Sequence, residues 1–378
     1  MSEKRRKVNI LCNTLTGGGI QKVMQDVANY LAAKPDQYEV TVTVLESPVR
    51  STELLDSHIK IRGVFRSQAS YKRYTPAWIW HILCRNLYCL KLSLQKQDVL
   101  LVLKDGWYFK LGGYLRANKK IAWFHTASSE EGQEHWTRIF FRTDEEERKC
   151  AETYDHIICV TEYGKQQVIN QIGELNNLVV RYNPIDVDSI ISKSESGTKK
   201  PAVPYRPLFV MVNRLSPIKG TMIVLQCLER LQAEHECSLW IVGDGEQREE
   251  LKTYVHEHSI RNVSFLGWQK NPYPYLAAAD WFISASKYET FGLTVHEAAA
   301  LNIPSIVATL PVFEECASKE LMLLVENSLD GIYNGMKQVL EQPEKFLGSK
   351  QTGGHSSQET MYTKRLKSIE NLIQDSEQ

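Results

Sequence analysis

Short apolar runs alternate with segments of helical period along most of the chain. The run KVNILC, 7–12, precedes GGGIQKVMQDVANYLAA, 17–33. In the latter, Ile20, Val23, Met24, Val27, Tyr30 and Leu31 recur at the spacing of one helix face. YEVTVTVL, 38–45, reads as a second strand, and DVLLVL, KIAWFH, HIICVT and NLVVRYN continue the series between helix-like segments. The pattern then restarts. PLFVMVN, CSLWIVGD, NVSFLG, DWFISAS, PSIVAT and LMLLVE are strand candidates with helices between them. Such alternation predicts βαβ units and parallel sheets, an α/β protein of two Rossmann-like doubly wound domains. The polar stretch SKSESGTKKPAVPYRP, 192–207, reads as a linker. The predicted domains are 1–190 and 205–345. A tail, 346–378, opens with GSKQTGGHSSQ and ends in the helical ETMYTKRLKSIENLIQ.

In open α/β sheets, ligands bind outside the carboxyl ends of the strands. Two such domains in tandem are therefore expected to face a central cleft, and the chemistry is sought at strand ends. A length of 378 residues suits two domains, and 43% hydrophobic with 24% charged residues is the soluble globular class. Lys+Arg and Asp+Glu are both 45, so no overall field selects nucleic acid as a partner. The eight cysteines form no CxxC pair and read as buried free thiols in a reducing compartment. The basic start is followed by an apolar run too short for a signal peptide, and no run is long enough to span a membrane. The expected location is cytoplasmic.

Three strand-to-helix turns carry candidate chemistry. KYETFGLTVHEAAALNIP, 287–304, follows a predicted strand. Thr290 is read as an N-cap for a helix starting near Phe291, whose first amides favour an anion such as phosphate. Gly292 would let a ligand approach the backbone. Glu297 shares a helix face with Leu293 and suits vicinal hydroxyls, as on a ribose; Glu289 suits another polyol. VNRLSPIKG, 212–220, places Arg214 and Lys219 at a strand's carboxyl end, where two cations suit a diphosphate. VGDGEQREEL, 242–251, repeats strand, tight turn and helix; a structural turn and a ligand loop are equally weighted there. TLTGGGIQKV is a Gly-rich turn, but Lys22 stands where a dinucleotide fingerprint needs its third glycine. His125 ends KIAWFH, and by itself reads more readily as a packed residue than as a ligand. The histidines show no metal spacing.

Taken together, VNRLSPIKG, VGDGEQREEL, SFLGW, AAADWFISASKYETFGLTVHEAAALNIPSIVA, TGGG and RYNPID resemble the retaining GT-B glycosyltransferases of glycosyltransferase family 4. The resemblance covers most of the chain and is tightest over 205–316. It implies a nucleotide-diphosphate sugar, a UDP-sugar by preference, held mainly by the C-terminal domain. Arg214 and Lys219 would hold the diphosphate, Glu297 the ribose, and Glu289 the donor-sugar hydroxyls. Backbone around Phe291, Gly292 and Leu293 would meet phosphate and sugar, with Trp268 by the base. Gly18 and Gly19 would let the N-terminal domain close on the diphosphate, and His125 would contact the donor sugar. Glu289, His125, Arg214 and Lys219 are the implied catalytic set. The terminal helix of this fold often crosses back to the first domain. Asn213, Thr290 and Ala299 depart from the family's usual Gly, Pro and Met, beside the functional positions and at none of them. Cations and helix-terminal amides can stabilise the leaving diphosphate, so no cofactor and no metal are expected.

The acceptor would be a glycan or lipid-linked, in surface polysaccharide or glycoconjugate biosynthesis. From Ser57 to Gln97 there is no acidic residue, against eight Lys/Arg interleaved with aromatic and aliphatic side chains. That segment reads equally as a surface for an anionic membrane, making the protein peripheral, and as a core helix with a solvated basic face. Other readings weighed are a non-catalytic partner subunit of the same architecture, a nucleotide-sugar epimerase or phosphorylase, and a dehydrogenase.

Overall fold

A computed structural model describes residues 5–15, 18–44, 54–63, 90–92, 94, 97–125, 140–316, 321–343 and 356–374. The chain divides into two units, Met1–Pro184 with Thr363–Gln378, and Ile185–Tyr362.

The first unit runs β1 (Arg6–Cys12), α1 (Gly19–Ala32), β2 (Tyr38–Val44), β3 (Lys60–Gly63), β4 (Gln97–Val102), α2 (Trp107–Tyr114), β5 (Ala117–Phe124), α3 (Asp144–Ala151), β6 (His156–Cys159), α4 (Glu162–Ile172) and β7 (Leu178–Val180). Its seven-stranded sheet has the order β3-β2-β1-β4-β5-β6-β7, paired in parallel throughout. β1 is an interior strand, and Val8, Ile10, Leu11 and Cys12 are all buried. A strand covered on both faces needs a near-continuous apolar run, which explains its composition. α1 buries Val23, Met24, Val27, Ala28, Leu31 and Ala32 as one stripe. The other helical layer packs Phe109 against Tyr154, stacked at 4.8 Å, and the Tyr154 hydroxyl donates to the Phe109 carbonyl.

One strand corrects the sequence reading. Lys60 and Arg62, counted into the basic segment 57–97, lie in β3, the edge strand beside β2. Lys60 pairs with Glu39 at 2.5 Å. Charged side chains at a sheet edge discourage pairing with another chain, and they also disguise a short strand as a basic surface. Most of that segment, 64–89 with 93, 95 and 96, lies outside the described residues. So do Thr16, Gly17 and the acidic stretch 128–136.

The second unit runs α5 (Val187–Ser194), β8 (Leu208–Val212), a 3-10 turn (Pro217–Lys219), α6 (Thr221–Leu231), β9 (Ser238–Val242), α7 (Arg248–Glu257), β10 (Val263–Gly267), α8 (Tyr273–Ala278), β11 (Trp281–Ser284), α9 (Leu293–Ala300), β12 (Ser305–Ala308), α10 (Pro311–Cys316), β13 (Met322–Val325) and α11 (Leu329–Glu341). Its six strands are ordered β10-β9-β8-β11-β12-β13, again all parallel. Phe209, Met211, Leu239, Ile241, Ile283 and Ile306 join Val224, Leu228, Ile332 and Met336 from the helices in one core. The boundary between the units falls before α5, not at 190, because Val187 and Ile190 are buried and α5 packs on α8 and α9.

The last helix, α12 (Ser356–Gln374), returns to the first unit from Thr363 onward. Leu366, Ile369, Leu372 and Ile373 are buried there. Its C-terminal carbonyls are capped from the first unit: Arg6 donates to those of Ile373 and Gln374, and Lys119 to that of Leu372. Glu370 is only 5% exposed and accepts from Lys34 at 2.5 Å, Tyr30 at 2.9 Å and Tyr38 at 3.0 Å. Burial works against its ionisation, but these three donors outweigh it and hold the carboxyl below its ordinary 4.5. The group therefore stabilises the fold fully above pH 4.5, and that contribution is lost as pH falls through the lower folded value. Glu370→Ala strands the three donors and is expected to cost about 2–4 kcal/mol at pH 7 in urea unfolding, with a smaller difference in acid.

Candidate functional site

The strand order of the second unit reverses between β8 and β11, and the loops leaving the carboxyl ends of these neighbours carry the main candidates. After β8 the chain passes Asn213 and Arg214 and tightens into the 3-10 turn that ends at Lys219. After β11 it passes Ser286 and reaches Glu289. The Lys287 amide donates to the Ile218 carbonyl at 2.8 Å and ties one loop to the other. That tie brings the Lys219 ammonium to Glu289 Oε1 at 2.5 Å. Their side chains are 25% and 15% exposed, so the pair is half-buried. The Ser286 hydroxyl donates to the same Oε1 at 2.9 Å. The sequence reading gave Lys219 and Glu289 separate partners; the fold makes them partners of each other.

The Gly-Asp-Gly turn after β9 is explained by packing. Gly243 has φ +140°, and a Cβ there would lie 1.8 Å from the Asn213 carbonyl oxygen. One at Gly245 would lie 2.2 Å from that of Leu215. The Asn213 amide donates to the Val242 carbonyl and the Leu215 amide to that of Asp244. The turn thus buttresses the loop of Arg214. Arg214 itself is exposed and pairs with Glu246 at 3.1 Å, a surface contact worth little by itself.

Beyond Glu289 the structure corrects the helix start. α9 begins at Leu293, and its N-cap is Gly292, not Thr290. Gly292 adopts φ +71°, a left-handed conformation that turns the chain into the helix. A Cβ there would meet the Phe313 ring at 2.3 Å, so close packing against Phe313 requires the glycine whether or not a ligand approaches. The Phe291 side chain is buried and stacks on His296, ring centroids 4.4 Å apart, which leaves only its backbone for a ligand. Leu293 opens the helix. Glu297, one turn on, is 6% exposed and accepts from the Tyr273 hydroxyl at 3.0 Å. Trp268, just past β10, is 57% exposed.

The remaining candidates belong to the first unit. Gly18 caps α1 in an extended conformation, and Gly19 is its first residue. His125 directly follows β5, is 7% exposed and lies parallel to Trp123 with centroids 5.7 Å apart. Burial, with the charge of Lys104 adding to it, pushes the imidazole down to about 3, so it is neutral at physiological pH. A neutral imidazole can hydrogen-bond a sugar hydroxyl but brings no charge.

Two residues went unnoticed in the sequence. Ser286 lies three positions before Glu289, close enough to have been suspected. Tyr273 stands 24 positions before Glu297 in another helix, and no spacing rule connects them. Among the described residues no group of three or more His, Cys, Asp or Glu is arranged to hold a metal ion.

Residues 193–349 match the family model of glycosyl transferases group 1. The matched segment covers about two fifths of the chain. It contains Arg214, Lys219, Trp268, Glu289 and Glu297. The chain is 27% identical over 203 residues to an uncharacterized glycosyltransferase, MJ1059, of Methanocaldococcus jannaschii, covering 50% of this chain and 48% of that protein. It is 24% identical over 200 residues to a GDP-mannose-dependent alpha-(1-6)-phosphatidylinositol dimannoside mannosyltransferase of Mycobacterium tuberculosis, covering 52% of each. The chain therefore spans about half the length of these curated relatives. Among solved structures, Anabaena Alr3699/HepE in complex with UDP and glucose superposes with a TM-score of 0.69 over 98% of both chains at 16% identity. The fold is GT-B: two α/β units with parallel sheets, the second containing the residues that match the glycosyl transferases group 1 model.

Proposed function

We propose that this protein is a retaining glycosyltransferase that moves a sugar from a nucleotide-diphosphate sugar, a UDP-sugar by preference, to a glycan or lipid-linked acceptor. The observation that carries this reading is the half-buried Lys219–Glu289 pair at the strand-order reversal, with buried Glu297 one helix further on. Lys219 and Arg214 would take the diphosphate oxygens and stabilise the charge that grows as the glycosidic bond to phosphate breaks. Glu297, oriented by Tyr273, would accept from the ribose hydroxyls. Glu289 would accept from donor-sugar hydroxyls, and neutral His125 would contact the same sugar. Gly18, Gly19 and the backbone of Phe291, Gly292 and Leu293 would lie along diphosphate and sugar, and Trp268 by the base. Transfer with retention would follow from attack on the leaving-group face, with the departing phosphate accepting the acceptor's proton. No metal has a part in this reading, because fixed cations and amides neutralise the leaving group.

UDP is favoured because the Anabaena neighbour is complexed with it, while the mycobacterial relative is named for GDP-mannose. That relative's name also supports a lipid-linked glycan as acceptor, in surface polysaccharide or glycolipid biosynthesis. None of the described helices is long and apolar enough to cross a membrane. We assign the protein to the cytoplasm, where it would meet such an acceptor at an anionic membrane surface.

A thermal-shift panel of UDP, GDP, ADP and CMP in EDTA tests the donor site. UDP is expected to raise the melting temperature most, since a ligand bound only by the folded state must stabilise it. A shift from GDP alone would reassign the base, dependence on added metal would reject the metal-free reading, and no shift from any of them would reject the donor site.

A further inference from the structure

The contacts of Glu289 are lopsided. Lys219 Nζ and Ser286 Oγ both donate to Oε1, at 2.5 and 2.9 Å. Among the described residues no other group hydrogen-bonds to Glu289, so Oε2 receives no donor from any of them. An ionised carboxylate has about four lone-pair positions, and here two are taken on one oxygen. A carboxylate anchored through one oxygen keeps the other for a ligand, in a direction set by the anchors.

The two anchors differ in kind. Lys219 is a long, flexible side chain that the diphosphate would also claim, so it cannot by itself fix Glu289 throughout a reaction. Ser286 is short, 3% exposed, and sits two residues beyond the end of β11. Its carbonyl accepts from Asn327 Nδ2 at 3.3 Å, from the segment that follows β13. Ser286 thus lies between the end of β11 and Asn327, and its hydroxyl donates to Oε1 of Glu289.

We propose that Ser286 is a positioning residue for the donor sugar: its hydroxyl holds Glu289 by Oε1 and directs Oε2 at a sugar hydroxyl when Lys219 turns to the diphosphate. Asn327 acts one step further back by fixing the Ser286 backbone. This rests on the donor-site reading above and deepens it. Neither Ser286 nor Asn327 touches substrate in this scheme, and no bond to either is made or broken.

The test separates sugar-dependent steps from nucleotide binding. Wild type, Ser286→Ala, Ser286→Thr and Asn327→Ala are compared for UDP affinity by calorimetry, for melting temperature, and for UDP release from a panel of UDP-sugars. Ser286→Ala is expected to slow release of UDP from the preferred sugar nucleotide by about 10- to 100-fold, the range that loss of orientation commonly produces. UDP affinity and melting temperature should stay close to wild type. Ser286→Thr restores the hydroxyl and should recover most of the rate. Asn327→Ala should give a smaller loss in the same step, and it keeps the test valid if a change at buried Ser286 impairs folding. UDP bound normally, with release unchanged in both Ser286→Ala and Asn327→Ala, would overturn the proposal while leaving the donor site standing. Equal loss of UDP affinity, stability and rate would show a structural role only and also overturn it. No UDP binding by wild type would overturn the donor site and this proposal together.

Discussion

Glu289→Gln is expected to lower sugar transfer, read as UDP release from a UDP-sugar, by at least about 10²-fold, the scale seen when one preorganised polar contact to a transition state is removed. UDP affinity should change little. The amide keeps the size of the carboxylate and can still accept from Ser286. What it loses is the negative charge, in a half-buried place where charge is weakly screened. Glu297→Gln supplies the contrast. That carboxylate is nearly buried, held by Tyr273, and assigned to the ribose. Its loss should weaken UDP binding itself by about tenfold, or roughly 1.4 kcal/mol. Calorimetry with UDP and a release assay on the two variants distinguish the roles. Equal and mild effects from both would mean that the two glutamates are misassigned.

Gly243→Ala is expected to be strongly destabilising. Its Cβ would lie 1.8 Å from the Asn213 carbonyl oxygen and 2.9 Å from the Asn213 carbonyl carbon, both backbone atoms that no rotamer change can clear. The residue also sits at φ +140°, which side chains rarely adopt. Backbone strain and overpacking each cost about 1–3 kcal/mol, so a loss of about 3 kcal/mol or more is expected in urea unfolding. Because Asn213 is the neighbour displaced, UDP affinity should fall with stability. Gly197→Ala is the control, since a Cβ there meets nothing within 4 Å, and it should be nearly neutral. A Gly243→Ala protein as stable as wild type would show that the turn after β9 can relax away from the Arg214 loop.

The central strands were legible because burial on both faces writes itself as an apolar run. β1, β4, β6, β8, β9 and β11 each coincide with a run visible in the sequence. β3 was missed for the opposite reason. Four residues long, at an edge, and with Lys60 and Arg62 flanking one isoleucine, it carries the chemistry of a surface. The start of α9 was placed too early because Thr290 has a capping side chain, whereas the backbone turn at Gly292 and its contact with Phe313 decide where the helix begins. Phe313 is 21 positions away, so no local rule could weigh it.

By itself the sequence determined the two α/β repeats, the polar stretch near their junction, and which residue types stand at strand ends: Arg214, Lys219, Glu289 and Glu297 among them. These are local facts, set by periodicity and by turn chemistry within a few residues. Only the tertiary structure decided which strand ends are neighbours. The order β10-β9-β8-β11-β12-β13 sets β8 beside β11, and so joins Lys219 to a carboxylate 70 positions later, with Ser286 on the same oxygen. The same holds for Tyr273 on Glu297 and for Glu370 among Lys34, Tyr30 and Tyr38. Strand order is fixed by how the helices share the burial of two sheet faces, a property of the whole chain that no window of the sequence contains.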